Sequence, residues 1–463
     1  MKLTGYLTCL ALVCLTLAGW TPTVRAADDT RPPNLVVFLI DDLGWTDLSC
    51  FGSDLYQTPH IDRLAQQGMK FTNSYSACTV CSPTRAALMT GKYPARLHIT
   101  DWIHGSKRPN AKLAIPKWTE YLPRTEVTIA TALKEVGYTT AHVGKWHLGD
   151  KNEGWPDKHG FDVNIAGYEA GSPPSYFSPY KIPTLTDGPK GEYLTDRLAA
   201  EAVRLIETNK DKPFFLYFPH YAVHTPLQAK SELTEAYQKK IRPGLRHTNA
   251  TYAAMIESMD QAVGRVLSRL TELGLSERTV IVFTSDNGGL MRSTTNVPLR
   301  AGKGSSYEGG VRVPTIVKWP GVTPPGSVCE EPVITNDFYP TLLQLAGAKG
   351  NAKHNAEVDG ESLVPLLKDP RTKLRRDALY WHYPHYHPGG ATPYGAVRAG
   401  DWKLIEFYED LHVELYNLKD DLSEKEDLAA RRPDKTQELR ERLHAWRKAV
   451  GAQMPTPNPN YKP

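Results

Sequence analysis

Two apolar runs, each closing on a cluster of oxygen-bearing side chains, constrain this chain more than any other feature. Residues 34–40 read Asn-Leu-Val-Val-Phe-Leu-Ile and end at Asp41-Asp42, and residues 279–284 read Thr-Val-Ile-Val-Phe-Thr and end at Ser285-Asp286-Asn287. A strand without polar alternation must be covered on both faces, which is the pattern of a parallel sheet with helices on each side. The segments between them alternate accordingly. Residues 61–67 and 127–136 read as helices, and 69–75, 140–143 and 212–219 as strands. Residues 251–273 form a long helical run with Tyr252, Met255, Ile256, Met259, Val263, Val266, Leu267 and Leu270 on its apolar face. The alternation predicts an α/β fold with a doubly wound, mostly parallel sheet. Ligands of such sheets sit beyond the carboxyl ends of the strands. One acidic pair there is an ordinary way to end a strand, but the arrangement repeats. Asp41, Asp42, Asp286 and Asn287 therefore form a candidate oxygen cage for Ca²⁺ or Mg²⁺.

A second feature is Cys81-Ser82-Pro83-Thr84-Arg85, where a loop gives way to the helical run 84–90 with Pro83 suited to its first turn. The free N–H groups and positive dipole end of a helix start favour an anion above Cys81. A buried thiol beside an N-terminal proline is the bland reading. With Pro and Arg each at about 5% of positions, the four cysteines that follow residue 26 give about a 1% chance of this spacing. Further along, Lys145 and His147 follow the strand 140–143, and His220 and His224 follow the strand 212–219. The glycine-rich run 301–312 contains Lys303 but lacks the spacing of a nucleotide-binding loop. Cys78 and Cys81 also spell C-x-x-C, but no second pair accompanies them to complete a zinc site.

These segments together resemble the sulfatase family. Cys81-Ser82-Pro83-Thr84-Arg85 is similar to its first signature. Gly137-Tyr138-Thr139-Thr140 with Gly144-Lys145-Trp146-His147-Leu148-Gly149 is similar to its second, and Ala301-Gly302-Lys303-Gly304 to its Lys-Gly loop. The likeness spans most of residues 33–350. It implies an alkaline-phosphatase-like central sheet, mostly parallel and flanked by helices, with a smaller C-terminal antiparallel sheet and a terminal helix. It also implies that a formylglycine-generating enzyme oxidises Cys81 to formylglycine. Asp41, Asp42, Asp286, Asn287 and residue 81 are then ligands for Ca²⁺, in preference to Mg²⁺. By the same resemblance Arg85, Lys145 and Lys303 contact the sulfate. His224, which precedes Thr225 and Pro226, faces the site, and His220 is structural. One hydroxyl of the hydrated aldehyde attacks sulfur, and His224 with Lys303 protonates the departing oxygen. His147 takes the proton of the second hydroxyl, so that the aldehyde re-forms as sulfate leaves. The implied function is sulfuric ester hydrolysis on a sulfated sugar or aryl sulfate. The alternatives are a phosphonate or phosphate monoester hydrolase of the same fold, and a non-catalytic sulfated-glycan binder. The complete set of Cys81, Arg85, Lys145, His147, His224 and Lys303 speaks against a mere binder.

The remaining features concern address and organisation. Residues 1–26 have the layout of a secretory leader cleaved after Ala26, which predicts a periplasmic or secreted protein. The leader contains Lys2 and Arg25 and no acid, so its removal takes the formal charge from +4 to +2. Near neutrality leaves no nucleic-acid footprint, and no later run is apolar enough to span a membrane. Residues 27–369 are expected to form the catalytic unit and 370–453 a small sheet with a terminal helix over 438–450. Residues 454–463 read as a loose tail. The histidines at 382, 385 and 387 lack the spacing of a closed zinc site and read as a solvent-facing or sugar-stacking loop. Trp102 and His104 are candidates for the mouth of the site. Asn249-Ala250-Thr251 fits a glycosylation acceptor, and Asn336 to Leu343 reads as structural.

Overall fold

The strand Asn34–Ile40 lies inside an eight-stranded sheet of the computed structural model, which describes residues 31–462. The expected leader lies outside those residues. From one edge the strands run Ser327–Cys329, Met69–Phe71, Thr315–Lys318, Thr279–Ser285, Asn34–Ile40, Phe214–Pro219, Thr139–Val143 and Val163–Ile165. Thr315–Lys318 runs antiparallel to both neighbours, and the other pairings are parallel. The apolar runs have the reason the sequence suggested. Val36, Phe38 and Ile40 enter a core with Met255, Met259 and Val263 of the helix Ala250–Glu272. Leu35, Val37 and Leu39 enter a separate core with Leu88, Met89 and Leu342. One strand thus belongs to two cores, and none of its seven residues reaches solvent.

Register does the rest. Ile40 pairs with Ser285 and Leu39 with Pro219, so three strand ends lie level and the residues after them converge.

A four-stranded antiparallel sheet follows in the order Leu379–Tyr383, Tyr394–Ala399, Trp402–Phe407, Val413–Asn417. Val397, Leu404 and Leu415 pack with Leu439 and Leu443 of the helix Pro433–Ala449. Its other face sends Trp381, Ala396 and Ile405 against Tyr75, Val80 and Ala87 beside the first signature. Polar contacts reinforce this docking. Lys403 Nζ lies 2.9 Å from both Glu308 Oε1 and Glu424 Oε1, and all three side chains are buried.

Several boundaries differ from the sequence reading. Residues 69–75 are two strands, Met69–Phe71 and Ser74–Tyr75. The chain turns where Thr72 N donates to Cys329 O and Asn73 Nδ2 to Glu330 O, and the second piece pairs with Val333–Ile334 instead. The helix expected over 127–136 shrinks to Ile129–Lys134, because Thr128 accepts from Thr131 N and sets its start there. The terminal helix starts earlier, with Pro433 in its first turn. The tail is not loose, since Thr456–Pro457 pairs with Leu113–Ala114 and Asn458 bonds Lys112 O. Cys50, Cys78, Cys81 and Cys329 are all free thiols.

Asp260 gives a pH test of the fold. Its carboxylate accepts His60 N and Ile61 N at the start of the helix Pro59–Gln67, and burial pushes it up to about 7. The folded state keeps this proton where the unfolded chain has lost it, so the contribution is present below about pH 4 and fades as pH rises through 7. Wild-type stability is expected to fall against Asp260→Asn over that window by roughly 2–4 kcal/mol, read from urea midpoints. A difference independent of pH would count against it.

Candidate active site

Asp41 and Asp42 leave one strand end, and Asp42 adopts a left-handed conformation with φ 60, which aspartate tolerates better than most residues. That turn places Asp42 N on Asp286 Oδ1 at 3.2 Å and Asp42 Oδ1 on Asn287 Nδ2 at 2.8 Å. Tyr252 braces it from the long helix, its hydroxyl donating to Asp42 O (3.1 Å) and to Asp47 Oδ2 (2.7 Å). Cys81 is the first residue of the helix Cys81–Thr90, two residues earlier than a start at Pro83 suggests, and Val80 before it supplies no side-chain cap. The helix is buried throughout. Its first N–H groups therefore remain available to whatever sits beside residue 81.

The strand Thr139–Val143 leads into Gly144, whose φ of 124 and closeness to Pro219 O leave no room for a Cβ. The tight passage seats Lys145 N on Pro219 O at 2.8 Å. Lys145 Nζ then reaches Asp41 Oδ2 at 2.7 Å. Arg85 donates from Nε and Nη2 to Asp286 Oδ2 at 3.0 and 2.7 Å, and from Nη1 to Lys145 O at 3.0 Å. The loop bearing Lys303 is stapled on both sides, by Lys303 N to Gly289 O and Gly304 N to Thr79 O. It holds Lys303 Nζ 2.6 Å from Asp42 Oδ1 and 3.6 Å from Cys81 Sγ.

The histidines sit in fixed tautomers. His147 Nε2 is 2.6 Å from Ile103 O, a group that only accepts, so Nε2 carries the proton and the buried Nδ1 is bare. Burial and then Lys145 hold this ring far below the ordinary histidine range. His224 Nδ1 donates to Thr225 O at 2.7 Å, which leaves Nε2 bare 3.6 Å from Asp42 Oδ2. Burial and then Lys303 lower its pKa to about 3, so it is neutral in the free site. An anionic ester beside it would favour the protonated form. His220 lies buried against Phe218, away from these contacts.

The same residues fit a hard cation. One ligand atom each of Asp41, Asp42, Cys81 and His224 lies within 4.8 Å of the others. Asp41 Oδ1, Asp42 Oδ2 and Asn287 Oδ1 are buried without a hydrogen-bond partner among the described residues, with only the longer approaches of Arg85 Nη2 to Asp41 Oδ1 at 3.5 Å and His224 Nε2 to Asp42 Oδ2 at 3.6 Å. Burial pushes Asp41 up to about 8 against the pull of Lys145, and a divalent ion would favour its ionised form. Asp286 stands alongside, its Oδ2 taken by Arg85.

A cavity of 860 Å³ opens over Cys81, with His147, His224, Lys303, Trp102 and His387 in its lining. His104 is not part of that wall; it is exposed and pairs with Glu120. The triplet of histidines is not a solvent-facing loop. His382 and His385 are buried, bonded to Tyr408 OH and Thr100 Oγ1, and His387 alone reaches the cavity. Sequence reasoning missed Asp47 and the hydroxyl of Tyr252, which sits among the apolar positions of its helix. It also missed the carbonyls of Ile103 and Thr225, which no residue type can signal. Asp47, close behind Asp42 in the same loop, was the readable one.

The comparisons agree with this geometry. The Sulfatase family model matches residues 33–348, and a model described as N-sulphoglucosamine sulphohydrolase, C-terminal, matches 302–449. A sulfatase of Formosa agariphila is 36% identical over 90% of this chain and 89% of its own. An N-acetylgalactosamine-6-sulfatase of Rattus norvegicus is 36% identical over 74% of this chain and 67% of its own. Among solved structures, Ps i-CgsB in complex with k-i-k-neocarrahexaose is 32% identical with a TM-score of 0.77, covering 90% of this chain and 93% of that one. Likeness of this extent, running through every strand end that builds the site, places the chain in the sulfatase family as a sulfuric ester hydrolase.

Proposed function

We propose that this sulfatase removes sulfate from a sulfated carbohydrate, also cleaves aryl sulfates, and does so with a nucleophile made from Cys81. The observation that carries the reading is Cys81 at a helix start on the floor of the cavity, with Lys303 Nζ 3.6 Å from its sulfur. A carbohydrate substrate is supported by the relative named for a sugar sulfate and by the related structure in complex with neocarrahexaose. Oxidation of Cys81 to formylglycine by a formylglycine-generating enzyme would supply an oxygen nucleophile and a second hydroxyl. Asp41, Asp42, Asn287 and residue 81, with Asp286 beside them, would hold Ca²⁺, which when bound sets positive charge against the sulfuryl oxygens.

The chain's own groups divide the remaining work. Lys145 and Arg85 are fixed on the carboxylates and carry positive charge under the ester. Lys303 keeps its proton between Asp42 and residue 81, placed for the departing oxygen together with His224. His147, neutral and with Nδ1 bare, is the base for the second hydroxyl. The leader-like residues 1–26 support export to the periplasm or beyond.

Mass spectrometry of the peptide containing residue 81 is the direct test. Active enzyme is expected to carry the aldehyde there, and an unmodified thiol in active enzyme sinks the nucleophile. Stripping divalent ions with a chelator is expected to lower kcat/KM on an aryl sulfate by about 100-fold or more, by analogy with the loss of other transition-state charge stabilisers. Ca²⁺ at about 100 times its Kd would restore activity and add about 2.7 kcal/mol of stability. Full activity and an unchanged melting temperature after stripping would remove the metal from the mechanism. Cleavage of aryl sulfates with no sulfated glycan turned over would remove the carbohydrate.

A further inference from the structure

The cavity over Cys81 has extensive walls and few charges. Among the described residues no Asp or Glu lines it, and its side chains of fixed charge are Lys303 and Arg292. Lys303 is already committed, 2.6 Å from Asp42 and 3.6 Å from Cys81. Arg292 has no ion-pair or hydrogen-bond partner for its guanidinium among the described residues, and its side chain is exposed. Met291 is exposed next to it in the chain, and Trp102 lines the same cavity.

The backbone that carries Arg292 is fixed. Ser293 N and Thr294 N both donate to Leu290 O, at 2.8 and 3.0 Å. Ser293 O accepts from Asn249 Nδ2 at 3.0 Å, and Thr294 Oγ1 donates to Asp47 Oδ1 at 2.7 Å. Ser293 and Thr294 are buried, so the tip is tied both to the start of the long helix and to the loop of Asp41 and Asp42. A guanidinium carried by a fixed stretch of backbone at a cavity wall, with no carboxylate among the described residues to pair it, offers a planar two-pronged donor to an anion.

We propose that Arg292 is a specificity-determining residue that holds a second anionic group of the substrate, a sulfate or a carboxylate, on a sugar that lies against the wall of Trp102 and Met291. The inference rests on the carbohydrate reading above and narrows it. With a single uncommitted cation in the lining, the site selects for one anion besides the ester that is cleaved. A third has no partner. Densely sulfated chains gain nothing over doubly charged ones.

The test uses the full-length, matured enzyme and a panel of sulfated di- and trisaccharides. One arm carries a single sulfate on neutral sugars, one adds a uronic carboxylate, and one adds a second sulfate at varied positions. Wild type is expected to prefer one of the doubly charged arms over the singly charged one by about 10-fold or more in kcat/KM, chiefly through KM. The preferred arm decides between carboxylate and sulfate. Arg292→Ala is expected to shrink that ratio to within about 2-fold, and Arg292→Lys to keep part of it, because a point charge replaces the fork. The ratio in wild type should also fall as salt is raised. A preference absent from the whole panel, or one that survives Arg292→Ala, overturns the proposal. Turnover of aryl sulfates without any of the sugars overturns the carbohydrate reading itself, and this proposal with it. Cleavage of the sugars without a charge preference overturns this proposal alone.

Discussion

Cys81→Ser is expected to stop turnover and leave the fold in place. The residue is buried at the first position of its helix, where serine differs from cysteine by one slightly smaller atom. Its hydroxyl can still be placed by Lys303 and still attack, so one sulfo group transfers to the enzyme. There the cycle ends. In the mechanism proposed above, release requires a second hydroxyl on the same carbon, from which His147 takes a proton, and serine has none. Losing a covalent nucleophile of this kind costs on the order of 10⁴–10⁶ in kcat. The intact mass after incubation with an aryl sulfate should show one added sulfo group in Cys81→Ser and none in Cys81→Ala. Melting curves should stay close to wild type. Steady turnover by the serine variant within 10-fold of wild type, as a working threshold of about 1.4 kcal/mol, would end the two-hydroxyl mechanism.

The second large effect is structural and lies outside the cavity. Lys403→Met is expected to cost about 3–5 kcal/mol, because it removes one partner of a buried charge cluster rather than the whole cluster. Glu308 retains Arg312 Nε and Tyr75 OH, each at 2.7 Å on Oε2. Glu424 has less to fall back on, since its other partner is Glu308 N at 2.6 Å. Burial already pushes Glu424 up to about 7 with Lys403 present, so losing that cation leaves a carboxyl that must take up a proton or draw in water. Glu424 follows the small sheet and Glu308 precedes the strand Thr315–Lys318, so the defect falls at the contact between the two sheets. The urea midpoint of the main transition gives the loss, and adding Glu424→Gln to Lys403→Met should recover part of it. A loss under about 1 kcal/mol, the range of an exposed ion pair, would show that the cluster is solvated in practice.

The sequence was most informative where one local rule had one outcome. An apolar run closed by acids is a strand end, and in-register parallel pairing then brings Asp41 and Asp42 beside Asp286 and Asn287. Lys145 and His147 could be placed because the strand before them is short and buried. What escaped was decided by groups far away in the chain. The break after Phe71 depends on carbonyls at Cys329 and Glu330. The tail was judged by its prolines, yet the edge it pairs with is Leu113–Ala114. Asn249 looked like a glycosylation acceptor, whereas its side chain caps the long helix through Tyr252 N and ties down Ser293 O. His385 reads from sequence as part of a solvent-facing or sugar-stacking loop, and its burial depends on Thr100 and Trp118 from a distant loop. The tautomer of His147 depends on a carbonyl at Ile103, and only coordinates reveal that.

The helix that begins at Cys81 has ten residues, and every one of them is buried. The cavity admits a small ester to the helix's first residue, but the rest of the segment offers no free face for another protein to grip. If residue 81 is edited as proposed above, the editing enzyme is expected to meet it on a nascent or unfolded chain, before the sheet and its neighbours close over it. On that reading chemistry on the side chain comes first and folding second, and a molecule that folds too early stays in its inactive form.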